Sequence, residues 1–345
     1  MRGNRQVHLV SRPGNGPELG NFALCDSVIA DPGPDELLLR TLWLSLDPYM
    51  RARMYEGRNY TAPAALDQPM QGSTVARVVA SRHPDFTEGD IVESAHGWQE
   101  YALSDGSGLR RIDPALAPVQ TALGVLGMPG QTGYTALVHH GRPQPGETVV
   151  VSAASGAVGS VVGQVARKMG ARAVGIAGGM AKCRYLTDDL GFDAAVDHRA
   201  PDFAAALAAA CPDGADIYYD NVGGRVFRAV LPLMADRGRI LVCGTISVDR
   251  DAPAGNDGSG PAQDLLNAAL VRRLALRGFV YTDPELMERA PEFRARVGGW
   301  IRDGSLRWRE HVVEGLEAAP EAFCGLFRGE NFGRLLVRLA PGETA

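Results

Sequence analysis

The sequence predicts an α/β protein made of a β-rich lobe and a doubly wound parallel sheet. Three observations carry this. Up to about residue 113 the chain is a series of short apolar or alternating runs separated by turn residues. From about residue 146, apolar runs of strand length alternate with helical patterns. At 148–159 a β-branched run passes through a glycine turn directly into a helical pattern.

In chain order, strands are expected at 7–10, 23–29, 36–46, 74–81 and 90–95, punctuated by Pro13-Gly14, by 31–35, by 83–85 and by 88–90. Many short strands with such turns predict a compact barrel-like lobe. The pattern turns helical at 128–137. Strands then fall at 148–153, 172–177, 194–197, 216–220, 239–243 and 275–281. Helices fall near 157–169, 182–190, 202–211, 224–234, 262–272 and 285–303. A Gly-rich loop is read at 256–261, a helix at 317–327, and a final strand at 333–339 that is expected to return to the first lobe.

The turn reads Ala153-Ala-Ser-Gly-Ala-Val-Gly159, with Ala154 where a full dinucleotide fingerprint has its first glycine. The start of a helix offers unpaired amides and an electropositive dipole end, which suit a pyrophosphate. Gly156 allows close approach to the phosphates, and Gly159 allows the helix to pack against the strand. The second strand ends in Ala177-Gly-Gly179, so the carboxylate that would hold the 2′-hydroxyl of NAD has no counterpart there. Lys182, one of only two lysines, and Arg184 follow. A missing acid beside cations predicts NADP(H), with Lys182 on the 2′-phosphate.

Composition narrows the alternatives. With 345 residues the chain is long enough for two domains, and 45% hydrophobic and 22% charged residues fit a globular protein. A net charge of -5 argues against a nucleic-acid surface, and no apolar run approaches a membrane span. The first residues lack the apolar core of a signal peptide. Five scattered cysteines without a C-x-x-C favour a reducing compartment, with the cytoplasm expected, over a disulfide framework or a zinc cluster. Cys243 is expected to be buried rather than reactive. Zinc catalysis lacks a ligand set, because Cys25 is the only cysteine before Gly127. His139 and His140 read as caps of a helix C-terminus rather than as metal ligands. Ser155 is flanked by Ala153 and Ala157, not by the glycines of a nucleophile elbow.

Several stretches together resemble the medium-chain dehydrogenase/reductase superfamily. More narrowly, they are similar to its zinc-independent alkenal/one oxidoreductases and prostaglandin reductases. They are Leu46-Asp-Pro-Tyr-Met-Arg-Ala-Arg-Met54, Gly127-Met-Pro-Gly-Gln-Thr-Gly-Tyr-Thr-Ala136 and Val151-Ser-Ala-Ala-Ser-Gly-Ala-Val-Gly159, with Asp216-Ile-Tyr-Tyr-Asp-Asn-Val-Gly-Gly224, Gly238-Arg-Ile-Leu-Val-Cys-Gly-Thr-Ile-Ser247 and Gly329-Glu-Asn-Phe-Gly333. The resemblance implies a GroES-like catalytic lobe (1–127 with 315–345), an inserted Rossmann domain (128–314), the cofactor in the cleft between them, and a homodimer joined through the Rossmann domains. It implies that Gly156, Ala157, Val158 and Gly159 cradle the pyrophosphate, that Lys182 and His198 serve the 2′-phosphate, and that Asn221 lies beside the cofactor. It further implies that 243–249, with Cys243, Gly244, Thr245, Ile246 and Ser247, and Phe279, Val280 and Tyr281 line the nicotinamide, while Asn331 reaches the cofactor from the C-terminal segment. Two positions depart from the family pattern: His198 stands for a Tyr near the 2′-phosphate, and Asp249 stands for a Tyr close to the substrate.

The implied reaction is hydride transfer from NADPH to the β-carbon of an α,β-unsaturated ketone or aldehyde. Negative charge then develops on the carbonyl oxygen, which calls for an aimed donor. The candidate donors are the Tyr49 hydroxyl and, as the resemblance implies, the cofactor's own ribose hydroxyl; Tyr49 and Tyr281 are the phenols expected near the cleft. Tyr49 serves equally well as loop packing, and Tyr281 fits a pocket wall. Asp47 and Arg51 are read as a structural ion pair. Two rival functions are a quinone reductase, motivated by Asp249, and an NADPH-binding scaffold or sensor with little turnover.

Overall fold

The computed structural model describes residues 2–57, 59–247 and 261–340. The chain divides into two compact units, Met1–Gly127 with Glu310–Ala345, and Met128–Arg309.

In the first unit, Phe22–Ile29, Arg2–Leu9 and Gln68–Pro69 form a three-stranded antiparallel sheet. A seven-stranded sheet is centred on Leu37–Ser45, which pairs antiparallel with Thr74–Ser81. The last strand, Arg334–Arg338, returns as expected and pairs antiparallel with Leu37–Ser45. Glu310–Glu314 pairs parallel with it, so the chain leaves the second unit at Arg309, before the 314 boundary read from the sequence. Aromatic packing fixes the core. Phe22 stacks on Trp98 at 5.5 Å, and Phe323 of the helix Ala319–Arg328 stands edge-on to Trp98 at 5.6 Å.

In the second unit six parallel strands lie in the order Ala194–Asp197, Arg172–Ala177, Thr148–Val151, Ala215–Asp220, Met234–Val242, Ala275–Gly278. Such an order reverses direction between Thr148–Val151 and Ala215–Asp220, and a ligand crevice is expected outside the carboxyl ends there. All four residues of Thr148–Val151 are buried, as a β-branched central strand requires. Gly163, in the helix Gly159–Lys168, has no room for a side chain: a Cβ there would lie 1.8 Å from the Phe192 ring. This close approach seats the helix on the sheet.

Several boundaries differ from expectation. The first parallel strand ends at Val151, and Ala157 and Val158 belong to the turn before the helix. The helix expected at 285–303 is broken into Pro284–Met287 and Ala290–Arg302. Pro291 sits in the first turn of the second piece, where it lacks the N–H that would continue the first. The strand expected at 275–281 stops at Gly278, so Tyr281 sits in a turn rather than at a strand end. The loop at 256–261 lies outside the described residues up to Gly260.

The pair His139 and His140 corrects another reading. The helix Met128–Ala136 runs on into a wider turn, Leu137–Gly141. Burial and the nearby Arg277 push His140 down to about 4, and burial and Arg289 lower His139. Neutral imidazoles cannot complement the helix dipole as cations. His139 Nδ1 instead accepts from Arg289 Nε at 3.2 Å. A base with a depressed folded pKa stabilises above its unfolded pKa and loses that contribution as pH falls. Unfolding midpoints should therefore decline between about pH 6.5 and about pH 4, and His140→Phe should flatten that decline in a pH series of denaturant melts.

Candidate cofactor site at the carboxyl edge of the parallel sheet

Each parallel strand delivers a residue singled out from the sequence to the same edge of the second unit. Gly156 to Gly159 follow Thr148–Val151, Lys182 follows Arg172–Ala177, and His198 follows Ala194–Asp197. Asn221 follows Ala215–Asp220, Cys243 to Ser247 follow Met234–Val242, and Phe279 to Tyr281 follow Ala275–Gly278. Parallel register makes this convergence obligatory, because every strand points its carboxyl end the same way. Asp249 lies outside the described residues.

The glycine turn has the shape of a cradle. A Cβ on Gly159 would sit 2.6 Å from Ala153 O and 2.8 Å from Ala154 Cα, both backbone atoms. On Gly156 it would meet only Ala153 O, at 3.1 Å. Ala153 itself takes a left-handed φ of 47°, a strained conformation for a residue with a side chain, and turns the chain into the helix. Gly159 thus lets the helix start press on the strand end at the switch point.

Beyond the second strand, cations gather. Burial and Arg199 lower the Lys182 pKa, and burial followed by Arg199 lowers His198, with Arg225 adding to it. Arg225 bonds the His198 carbonyl. A Cβ on Gly178 would lie 2.9 Å from His198 Nε2 and 3.0 Å from Arg199 Nε, so both side chains crowd this loop. Asp197 shapes the same loop by accepting from Gly179 N and Arg199 N at 2.8 Å each. Burial opposes its ionisation, but these amides, His198 and Arg199 more than offset that and hold its pKa below the ordinary carboxylate value. Cations that depress one another are relieved by a shared anion. The residues therefore fit a phosphorylated dinucleotide: a turn bounded by glycines for the pyrophosphate and a basic cluster for an extra phosphate.

After the strand Met234–Val242, burial pushes the Cys243 thiol up to about 12 while the Tyr219 hydroxyl works against it, so the thiol stays protonated near neutrality. Tyr219 donates to Thr132 O at 2.9 Å, and the Phe279 ring stands edge-on to it at 5.9 Å. Asp283 Oδ2 accepts from Val280 N at 3.0 Å and fixes the turn that presents Tyr281, which is 36% exposed.

Tyr49 and Asn331 belong to the first unit. Tyr49 opens the short helix Tyr49–Arg53, and the Arg53 guanidinium stands 5.5 Å from its ring centre. Asn331 Nδ2 donates to Gly333 O at 2.9 Å. The two segments are tied by a buried ion pair that the sequence reading assigned differently. Asp47 is held by both terminal nitrogens of Arg334, one at 2.9 Å, and accepts from Ser45 Oγ at 2.8 Å. The Arg51 guanidinium lies 4.9 Å from the centre of the Phe327 ring.

Sequence reasoning missed Asp197, Arg225, Arg334, Ser152 and Asp220. Only Asp220 had a local signal: it is a charged residue closing the buried run Ile217-Tyr-Tyr219, next to Asn221. Among the described residues, no group of three or more His, Cys, Asp or Glu stands close enough to hold a metal ion.

Two family models match the chain: an N-terminal domain of oxidoreductase over residues 5–112, and a model described as zinc-binding dehydrogenase over residues 157–294. The chain is 45% identical over 342 residues to an NADPH-dependent curcumin reductase of Escherichia coli, covering 99% of this chain and 98% of that protein. It is 39% identical over 332 residues to prostaglandin reductase 1 of Mus musculus, covering 93% and 95%. The crystal structure of CurA in complex with NADPH from Vibrio vulnificus superposes with a TM-score of 0.92 at 45% identity, covering 97% of this chain and 99% of that one. With these relatives spanning nearly every residue and the cofactor-type edge in place, the chain belongs to the medium-chain dehydrogenase/reductase superfamily, in its zinc-independent alkenal/one oxidoreductase and prostaglandin reductase branch.

Proposed function

We propose that this protein is an NADPH-dependent reductase of the carbon–carbon double bond in α,β-unsaturated ketones and aldehydes. The observation that carries this reading is near-full-length 45% identity to an NADPH-dependent curcumin reductase, in a chain whose carboxyl edge holds the glycine cradle and the basic cluster.

When bound, NADPH supplies a hydride to the β-carbon of the enone. The chain's part is to bind, orient and stabilise. Gly156, Ala157, Val158 and Gly159 take the pyrophosphate. Lys182, His198 and Arg199 take the 2′-phosphate through charge-assisted bonds. Asn221, Cys243 to Ser247 and Phe279 to Tyr281 hold the nicotinamide ring, and Asn331 is assigned to the cofactor as well. Negative charge developing on the substrate oxygen needs a hydrogen-bond donor, and we assign this to Tyr49, with Tyr281 as the pocket wall that carries a second phenol. Solvent supplies the proton at the α-carbon.

Mixing the protein with NADPH and a panel of medium-chain enones, enals and quinones should consume NADPH with enones fastest. No oxidation with any enone would overturn the proposal; faster quinone turnover would redirect it to the quinone reductases, and tight binding without turnover to a sensor. Lys182→Glu should weaken NADPH on the order of 100-fold and NADH far less, since it puts repulsion where a charge-assisted bond stood. Equal losses for the two cofactors would place the 2′-phosphate elsewhere. Tyr49→Phe should lower kcat on the order of 10- to 100-fold with NADPH affinity unchanged, the pattern of a donor that acts only on the transition state.

We further propose that two copies pair through the parallel-sheet unit. Its edge strand Ala275–Gly278 has all four residues exposed, and the preceding helix Pro261–Arg272 exposes Leu266, Leu270 and Val271, the last two by 79% and 69%. An open edge beside an apolar patch favours a second copy as its cover. Leu270→Glu with Leu276→Glu should shift the mass measured by light scattering from dimer to monomer. Five free cysteines and the absence, among described residues, of a helix long and apolar enough to cross a membrane support placing the enzyme in the cytoplasm.

A further inference from the structure

Two loops at the carboxyl edge of the second unit converge on the buried side chain of Asp220, which is 1% exposed, and a third meets its main-chain carbonyl. Its Oδ1 accepts from Ser152 Oγ at 2.9 Å, from the Tyr218 hydroxyl at 2.7 Å, and from the amides of Val222 and Gly223 at 2.9 and 3.0 Å. The Asp220 carbonyl accepts from Cys243 N at 2.8 Å and Gly244 N at 3.1 Å. Ser152 passes the connection on: its Oγ accepts from Asn221 N at 2.8 Å, and its carbonyl accepts from Asn221 Nδ2 at 2.7 Å. Ser247 N closes the circuit on Val222 O at 3.1 Å.

The residue types explain why a charge sits here. Besides Val222 and Cys243, the joined positions are Ser152, Asn221, Gly223, Gly244 and Ser247, which have little apolar surface to hold them by packing. Every group aimed at the Asp220 side chain is an N–H or an O–H, so an acceptor-only carboxylate suits all of them at once. An amide would turn a donor toward the Gly223 N–H, which also lies 3.2 Å from Oδ2. A buried charge is retained when such a network repays its desolvation.

We infer that Asp220, acting with Ser152, is a positioning residue that sets the glycine turn, the Asn221 loop and the Cys243 to Ser247 loop in one register for the cofactor. This rests on the cofactor assignment made above, and it adds a residue that touches neither substrate nor cofactor. The test compares Asp220→Asn and Ser152→Ala with Tyr218→Phe, which removes a bond to the same carboxylate from within the strand. Each variant is first shown to be folded by circular dichroism. In calorimetric titration, Asp220→Asn and Ser152→Ala should each raise the NADPH Kd about tenfold or more, while Tyr218→Phe stays within about twofold. In hydrogen exchange of the cofactor-free protein, the amides of Val222 and Gly223 should lose protection in the first two variants while the helix Phe203–Ala210 keeps its own.

Wild-type affinity with unchanged loop protection in a folded Asp220→Asn protein would overturn the inference. So would a Tyr218→Phe protein that loses NADPH affinity equally, since that marks general destabilisation. If Asp220→Asn fails to fold, Ser152→Ala decides alone on the same two readings. A wild-type protein that binds no NADPH would overturn the cofactor assignment instead, and the exchange experiment would still judge the carboxylate.

Discussion

Replacing Arg334 with leucine should destabilise the first unit by about 3–5 kcal/mol, the largest stability effect expected of any single change in it. Asp47 is 3% exposed and Arg334 6%, and the guanidinium engages both carboxylate oxygens. Truncating the cation strands a buried anion whose other partner, Ser45 Oγ at 2.8 Å, supplies only one neutral donor. Urea melts should show a midpoint shift at constant slope. Asp47→Asn combined with Arg334→Leu should recover part of the loss, because the stranded charge is then gone. Additive losses in the double variant would show that Arg334 acts by packing alone. Because Tyr49 and Asn331 flank the two partners, kcat should fall in the single variant even where the protein is folded.

Gly159→Ala should reduce kcat/KM for NADPH on the order of 100-fold, the scale expected when a binding cradle is displaced by about an ångström. The added methyl would lie 2.6 Å from Ala153 O and 2.8 Å from Ala154 Cα. Neither neighbour is the end of a flexible side chain, so the turn or the helix must move. The same overpacking should cost about 1–3 kcal/mol of stability. Gly156→Ala is the matched comparison: its single contact at 3.1 Å asks the neighbour to yield only a few tenths of an ångström, and its effect should be several times smaller. Equal effects at the two positions would mean that close helix–strand approach is not what Gly159 provides.

Much of the site was legible in advance because it is written in short-range features. A buried β-branched strand, a glycine turn and a helix are consecutive residues, so 148–168 announces its own geometry. The absence of a carboxylate at 177–179 and the presence of Lys182 are equally local, and the strand alternation implies a common edge for everything that follows a parallel strand. Boundaries were less legible. Pro291 interrupts a run whose apolar spacing is continuous, and Phe279 to Tyr281 have strand-like composition but turn where Asp283 captures Val280 N.

Sequence by itself determined the class of fold, the order of its parallel elements, the tight glycine turn at Gly156 and Gly159, and the preference for a phosphorylated dinucleotide. These depend on residues adjacent in the chain or repeated at a fixed period. Tertiary structure alone decided who pairs with whom. Asp47 takes Arg334, 287 positions away, rather than the nearby Arg51, the structural ion pair expected from the sequence. His139 and His140 become neutral because burial and arginines from distant segments surround them. Asp220 becomes the junction of three loops because parallel strands bring their ends together in space while separating them in sequence. Charges and hydrogen bonds act over a few ångströms in any direction, so their partners are fixed by the packed chain and not by proximity along it.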